Sequence, residues 1–182
     1  MQFSKNLSEN LEHLKQTLSL EKNFDVVYRA ITIGGKQACL LFVDGLTKDE
    51  VLLKVLQAWW SIKPEDMPKD AHGFSKKYMP YGEVSLVDNE KDMIVQLLSG
   101  ITAVLVDGYD KCLMLDCRTY PARGVEEPEK DKVLRGSRDG FVETLIFNTA
   151  LIRRRIRDPK LIMEILTSSP RAAPMWPPST SS

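Results

Sequence analysis

Seven cationic side chains crowd the stretch RGSRDGFVETLIFNTALIRRRIRDPKL, residues 135–161: Arg135, Arg138, Arg153, Arg154, Arg155, Arg157 and Lys160. Asp139, Glu143 and Asp158 oppose them, which leaves the stretch net positive by four. Guanidinium is a planar fork suited to bidentate pairing with carboxylate or phosphate. Neighbouring residues on a helix point about 100° apart, so Arg153, Arg154 and Arg155 cannot all share one solvated face. At least one of them meets protein, a ligand or a phosphate-rich surface. Pairing with the domain's own carboxylates, a contact with another subunit or domain near a membrane, and a bound small anion or lipid headgroup all fit that requirement. Nucleic acid does not, because no aromatic stacking platform accompanies the basic run and the whole chain balances 25 Lys and Arg against 25 Asp and Glu.

Other chemistry-bearing residues are scattered. The three cysteines, Cys39, Cys112 and Cys117, sit in apolar runs and form no CxxC pair, as buried reduced thiols do. His13 and His72 are far apart and distant from any cysteine, so no metal site is expected. Gly34-Gly35 joins two strand-like runs and lacks the spacing of a phosphate loop. The amides of 136–140 precede a helix and could hold an anion, although Ser137 or Asp139 as a plain helix cap accounts for them too. Glu126, Glu127 and Glu129 read as a solvated loop, and no nucleophile signature appears. The chain is therefore expected to be non-enzymatic and to need no cofactor.

The elements that must position the basic stretch follow from periodicity. Leu7, Leu11, Leu14 and Leu18 form one stripe on a helix over about 5–19. FDVVYRAITI and QACLLFVDG flank the Gly-Gly pair as a β-hairpin. Thr47 to Glu50 spell a capping box ahead of a helix whose buried stripe is Leu52, Val55, Leu56 and Trp59, with Trp59 and Trp60 divided between core and contact surface. Residues 63–82 hold Pro64, Pro68, Gly73, Pro80 and Gly82 and read as a linker. A short strand at 84–87, a helix from Asp88 to Ser99 and a second hairpin turning at Asp107-Gly108 follow. Beyond a charged loop at 121–137, one helix carries Phe141, Leu145, Thr149, Ile152 and Ile156, and Asp158-Pro159 starts another carrying Leu161, Ile162, Ile165 and Leu166. The expectation is an α/β (α+β) protein of two small subdomains, 1–62 and 83–167, each a short sheet with packed helices, plus C-terminal helices. The Pro- and Ser-rich residues 168–182 read as a disordered tail or a cloning scar. No run of about 18 apolar residues and no secretory leader is present, which points to the cytosolic side.

The 135–161 stretch resembles the segment preceding the first membrane helix of the spore germinant receptor A subunits, the GerA family, which typically reads RGPREGFVE, then LRTN, LIRRRI and a D-P pair. A leucine-striped helix, an Asn-rich turn and the run from Asp25 to Arg29 resemble the same family, so that the likeness spans about 5–167. Ser137 stands where Pro is common, and Ile146-Phe147 where Leu-Arg is common. The resemblance implies a hydrophilic N-terminal domain on the cytosolic (core) side of the spore inner membrane, with membrane helices beyond this chain. It implies receptor B and C subunits and other A subunits as partners, in an oligomer, and a role in assembly and signal transmission during germination. The interaction residues expected on this basis are Arg135, Arg138, Asp139, Glu143, Asn148, Arg153, Arg154, Arg155 and Asp158. The alternative is a small molecule or ion bound in a cleft between the two subdomains.

Overall fold

The computed structural model describes residues 1–79, 84–119, 141 and 143–166. Helix α1 (Leu7–Thr17) starts where Asn6 accepts hydrogen bonds from the Ser8 and Glu9 amides, and it buries Leu7 and Leu14. Strands β1 (Val26–Ile33) and β2 (Lys36–Val43) form the expected hairpin. Both turn glycines have positive φ, 52° at Gly34 and 76° at Gly35, as a two-residue turn compatible with strand twist requires. Then come α2 (Asp49–Trp60), a short 3-10 turn at Pro64–Asp66, α3 (Ala71–Tyr78), β3 (Val84–Val87) and α4 (Glu90–Leu98). The chain returns through β4 (Thr102–Val106) and β5 (Cys112–Leu115) and ends its described regular structure in α5 (Leu145–Arg155).

The α+β class stands, but the two hairpins do not make two sheets. β2 pairs with β4 in antiparallel register, Ala38 opposite Val106 and Leu41 opposite Ala103. The result is one five-stranded sheet of order β1-β2-β4-β5-β3, in which every neighbouring pair is antiparallel. The reason lies in β4 and β5, all of whose residues are buried. A strand that is apolar on both sides needs cover on both faces, and each of these also needs a strand on either edge.

Alternation then splits the core in two. Cys39, Leu41, Ala103, Leu105, Cys112 and Met114 point to the face where α1 and α4 bring Leu14, Met93 and Leu97. Leu40, Phe42, Val104, Val106, Leu113 and Leu115 point to the opposite face, against Trp59, Ala71 and Phe74.

Residues 63–79, read as a linker, supply part of that second cover. Asp70 accepts from the Gly73 amide at 2.7 Å and starts α3. Phe74 is fully buried, edge-on to Trp59 with ring centres 5.4 Å apart. Tyr109 donates its hydroxyl to the Pro68 carbonyl at 2.6 Å, tying the second hairpin to the excursion. The β2–β4 ladder and this aromatic cluster join the two segments read as separate subdomains. The tryptophans divide as anticipated, with Trp59 buried and Trp60 65% exposed.

The capping box does not form. Thr47 is drawn into a bridge with Arg118 and donates to the Val43 carbonyl at 3.3 Å, so that α2 begins after Lys48 without a side-chain cap.

All three cysteines are buried and free. Burial pushes the Cys39 thiol up to about 12 and raises Cys112 and Cys117 as well. A group whose pKa is raised this way stays protonated at neutral pH, and it is the thiolate that reacts. Titration with an aromatic disulfide reagent at pH 8 is therefore expected to modify no thiol in the native chain and all three once urea unfolds it. Fast reaction of Cys39 or Cys112 before unfolding would contradict this packing.

Candidate functional site

The basic stretch is placed by the tight turn after β2. Gly45 has φ 78°, and a Cβ there would lie 2.9 Å from Ile146 Cγ2 and 3.0 Å from Ala150 Cβ. Lacking a side chain, Gly45 lets α5 lie directly on the turn, where Ala150 packs with Val43 and Leu46. One turn further along α5, Arg153 enters the body.

Its guanidinium meets Asp25, the residue before β1. Nε donates to Asp25 Oδ2 at 2.7 Å and Nη2 to Oδ1 at 3.0 Å, a bidentate pair in which each side chain is 1% exposed. Two further donors reach backbone. Nη1 donates to the Asp158 carbonyl at 3.3 Å and Nη2 to the Leu161 carbonyl at 3.0 Å. Asn23 completes the arrangement. Its Nδ2 donates to the Leu18 carbonyl at 2.7 Å, and its Oδ1 accepts from the Met163 amide at 2.8 Å and, more weakly, from Arg153 Nη2 at 3.4 Å. The Phe24 amide donates to the Met163 carbonyl at 3.0 Å. One arginine thus ties together the end of α1, the entry to β1, helix α5 and the chain from 158 to 163.

The same bonds explain why no second C-terminal helix forms. In a helix from Pro159 the Met163 amide would donate to the Pro159 carbonyl, but here it donates to Asn23 Oδ1 at 2.8 Å, and the Asp158 carbonyl, which also meets Arg153, closes only a single turn with the Leu161 amide at 3.1 Å. The Asp158 carboxylate accepts from the Lys160 amide at 2.9 Å, a local turn that competes with helix. Residues 156–166 run as a non-helical strap, with Met163 buried and Ile162, Ile165 and Leu166 exposed.

The expected interaction residues separate accordingly. Among the described ones, Arg153 is drawn inside. Asp158 contributes its carbonyl to the cluster and stays at the surface. Arg154 and Arg155 are exposed, though neither is without a partner. Asn148 is half-buried on α5 and Glu143 is exposed ahead of it. Arg135, Arg138 and Asp139 lie outside the described residues, as do the glutamates of the charged loop. Sequence reasoning missed Asn23, Asp25 and Gly45. Asp25 stands 128 positions from its partner, and its only local signal is an acid placed immediately before a run of strand formers.

Comparison with known proteins gives concordant relationships. The family model described as Bacillus/Clostridium GerA spore germination protein matches residues 12–173. The chain is similar to stage V sporulation protein AF of Bacillus subtilis strain 168, with 35% identity over 159 residues, covering 86% of this chain and 32% of that protein. It is similar to spore germination protein B1 of the same strain, with 33% identity over 179 residues, covering 94% of this chain and 35% of that protein. The chain therefore spans about a third of the length of these relatives. Among solved structures, the crystal structure of the N-terminal domain of the A subunit of the Bacillus megaterium spore germinant receptor GerK3 matches with a TM-score of 0.65 at 23% identity. That match covers 87% of this chain and 58% of the other, and it shows a shared fold.

Removing one partner of a buried ion pair strands the other, at a cost of about 3–5 kcal/mol, whereas replacing both with apolar groups of similar volume is often neutral. Arg153→Ala and Asp25→Ala are each expected to lower unfolding free energy in urea by about that amount. The double variant Asp25→Leu/Arg153→Met is expected to lose much less than the sum. Strictly additive losses would show that the pair is not coupled.

Proposed function

Because the chain belongs to the Bacillus/Clostridium GerA spore germination protein family, we propose that this germinant receptor A-subunit-like domain serves in receptor assembly and signal transmission during spore germination, without catalysis. The observation that carries the reading is the buried Arg153–Asp25 pair. It fastens α5 and the strap to the sheet rather than leaving them as a loose tether. A rigid body with a stiff exit passes displacement or torque onward, which a flexible linker cannot do.

The chemistry of the pair supports a mechanical role. The Arg153 and Asp25 side chains are consumed by one another and by backbone, and the three thiols are held protonated by burial. Among the described residues no helix is long and apolar enough to cross a membrane. In this reading the membrane-embedded part lies outside the chain and the strap leads toward it. The domain sits on the core side of the spore inner membrane, with receptor B and C subunits and other A subunits as its partners. Arg154 and Arg155 face outward from α5, where a neighbouring chain's carboxylates can be held in one arrangement and released in another.

The reading is tested in spores whose receptor A subunit carries this domain in its full-length chain. Inserting a short Gly-Ser segment directly after Leu166 leaves the body intact and softens the exit. The expected outcome is an unchanged amount of A subunit in the membrane fraction with a strongly slowed nutrient response. Normal germination with the insertion would overturn rigid transmission. Arg154→Glu and Arg155→Glu, both at exposed positions, address assembly separately, through recovery of the receptor complex after crosslinking.

A further inference from the structure

The strap starts as a helix starts and then departs from it. Asp158 precedes Pro159, and its carboxylate accepts from the Lys160 amide at 2.9 Å. Standing alone, that turn competes with helix. Yet a side-chain oxygen bonded to the amide two residues on is also how a helix N-cap works, and proline is favoured at the position after the cap. The Leu161 amide donates to the Asp158 carbonyl at 3.1 Å and closes a first turn. Nucleation is the costly step of helix formation, and propagation then adds one bond for each residue fixed. In this strap the nucleus is built and the propagation is withheld.

Two bonds withhold it. The Met163 amide goes to Asn23 Oδ1 at 2.8 Å, and the Met163 carbonyl is taken by the Phe24 amide at 3.0 Å. Asn23 is itself set by the end of α1. Its Nδ2 donates to the Leu18 carbonyl at 2.7 Å and its amide to the Ser19 carbonyl at 2.9 Å. Arg153 blocks the helix less directly, because it bonds the carbonyl oxygens of Asp158 and Leu161, and a carbonyl oxygen has two lone pairs.

The side chains suit two states. In the strap Met163 is buried, while Ile162, Ile165 and Leu166 are 41%, 54% and 87% exposed. On a helix Leu161, Ile162, Ile165 and Leu166 fall at i, i+1, i+4 and i+5 and gather into one apolar stripe, with Lys160 and Glu164 four apart on the other side. An extended chain cannot gather them, because adjacent residues such as Ile165 and Leu166 point to opposite faces. Each state satisfies apolar residues that the other leaves out, as a two-state element requires.

We propose that the strap is an arrested helix and that Asn23 is its catch. When the end of α1 shifts and withdraws Asn23 from the Met163 amide, helix propagates from Asp158 through Leu166 and draws the chain beyond it toward the body. A residue rises about 3.3 Å in an extended chain and about 1.5 Å in a helix, so Ile162–Leu166 shortens by up to roughly 9 Å. A small movement at α1 is thereby converted into a larger one at the exit.

As the regulation of the transmission proposed above, the device rests on that reading. Its test uses the purified full chain, where it stands or falls without the receptor. Backbone NMR reads the strap through its Cα chemical shifts. The native chain is expected to show non-helical shifts over 162–166. Asn23→Ala removes the acceptor that diverts the Met163 amide and is expected to turn those shifts helical. Asn23→Ala/Asp158→Ala also removes the cap and is expected to leave them at coil values. Where Asn23→Ala does not fold, Met163→Ala asks the same question, since it deletes the side chain that the strap buries and supplies the strongest helix former. Helical shifts over 162–166 are expected there too. Coil or unchanged shifts in Asn23→Ala, or in Met163→Ala where the first variant does not fold, would overturn the proposal. So would a helix that persists when Asp158 is replaced.

Discussion

A guanidinium and a carboxylate removed from water must satisfy one another completely or the fold does not tolerate them, because the desolvation cost of each ion amounts to several kcal/mol. Arg153 and Asp25 meet that condition by a bidentate pair, and the surplus donors of the arginine reach two backbone carbonyls. The strap from 156 to 163 follows from this constraint. Its carbonyls are turned inward to the cation, its Met163 backbone bonds to Asn23 and Phe24, and its helical alternative is lost. Gly45 makes the geometry reachable by letting α5 settle on the turn. Without that close approach the arginine would end short of β1.

The sheet supplies the frame on which this cluster is hung. Helices on both faces bury β2, β4 and β5, so the strand bearing Asp25 at its root is backed by the most buried part of the molecule. The C-terminal segment is consequently referenced to the core rather than to a loop. A domain that hands a movement to the polypeptide beyond it needs that property.

Local chemistry was legible in the sequence where it decides the outcome locally. The Leu7 to Leu18 stripe and the Gly34-Gly35 turn are each set within one or two turns of chain, and each appears as read. That one of Arg153, Arg154 and Arg155 must meet protein was legible, because three consecutive arginines cannot all be solvated on one helical face. Long-range competition was not legible. Pairing of β2 with β4 merges two hairpins that look independent in sequence. Phe74 and Ala71 convert a proline-rich excursion into core cover, and Thr47 gives up a cap to bridge Arg118. The partner of Arg153 was hidden for the same reason, since nothing near Asp25 announces a cation 128 residues away.

The central claim is that α5 and the strap belong to the body through one buried pair. Amide hydrogen exchange in the native chain and in Asp25→Asn measures this most directly. The account predicts that the substitution releases protection together at Phe24, Met163 and the α5 amides while β4 and β5 keep theirs. Unchanged protection of α5 and Met163 in Asp25→Asn would contradict it.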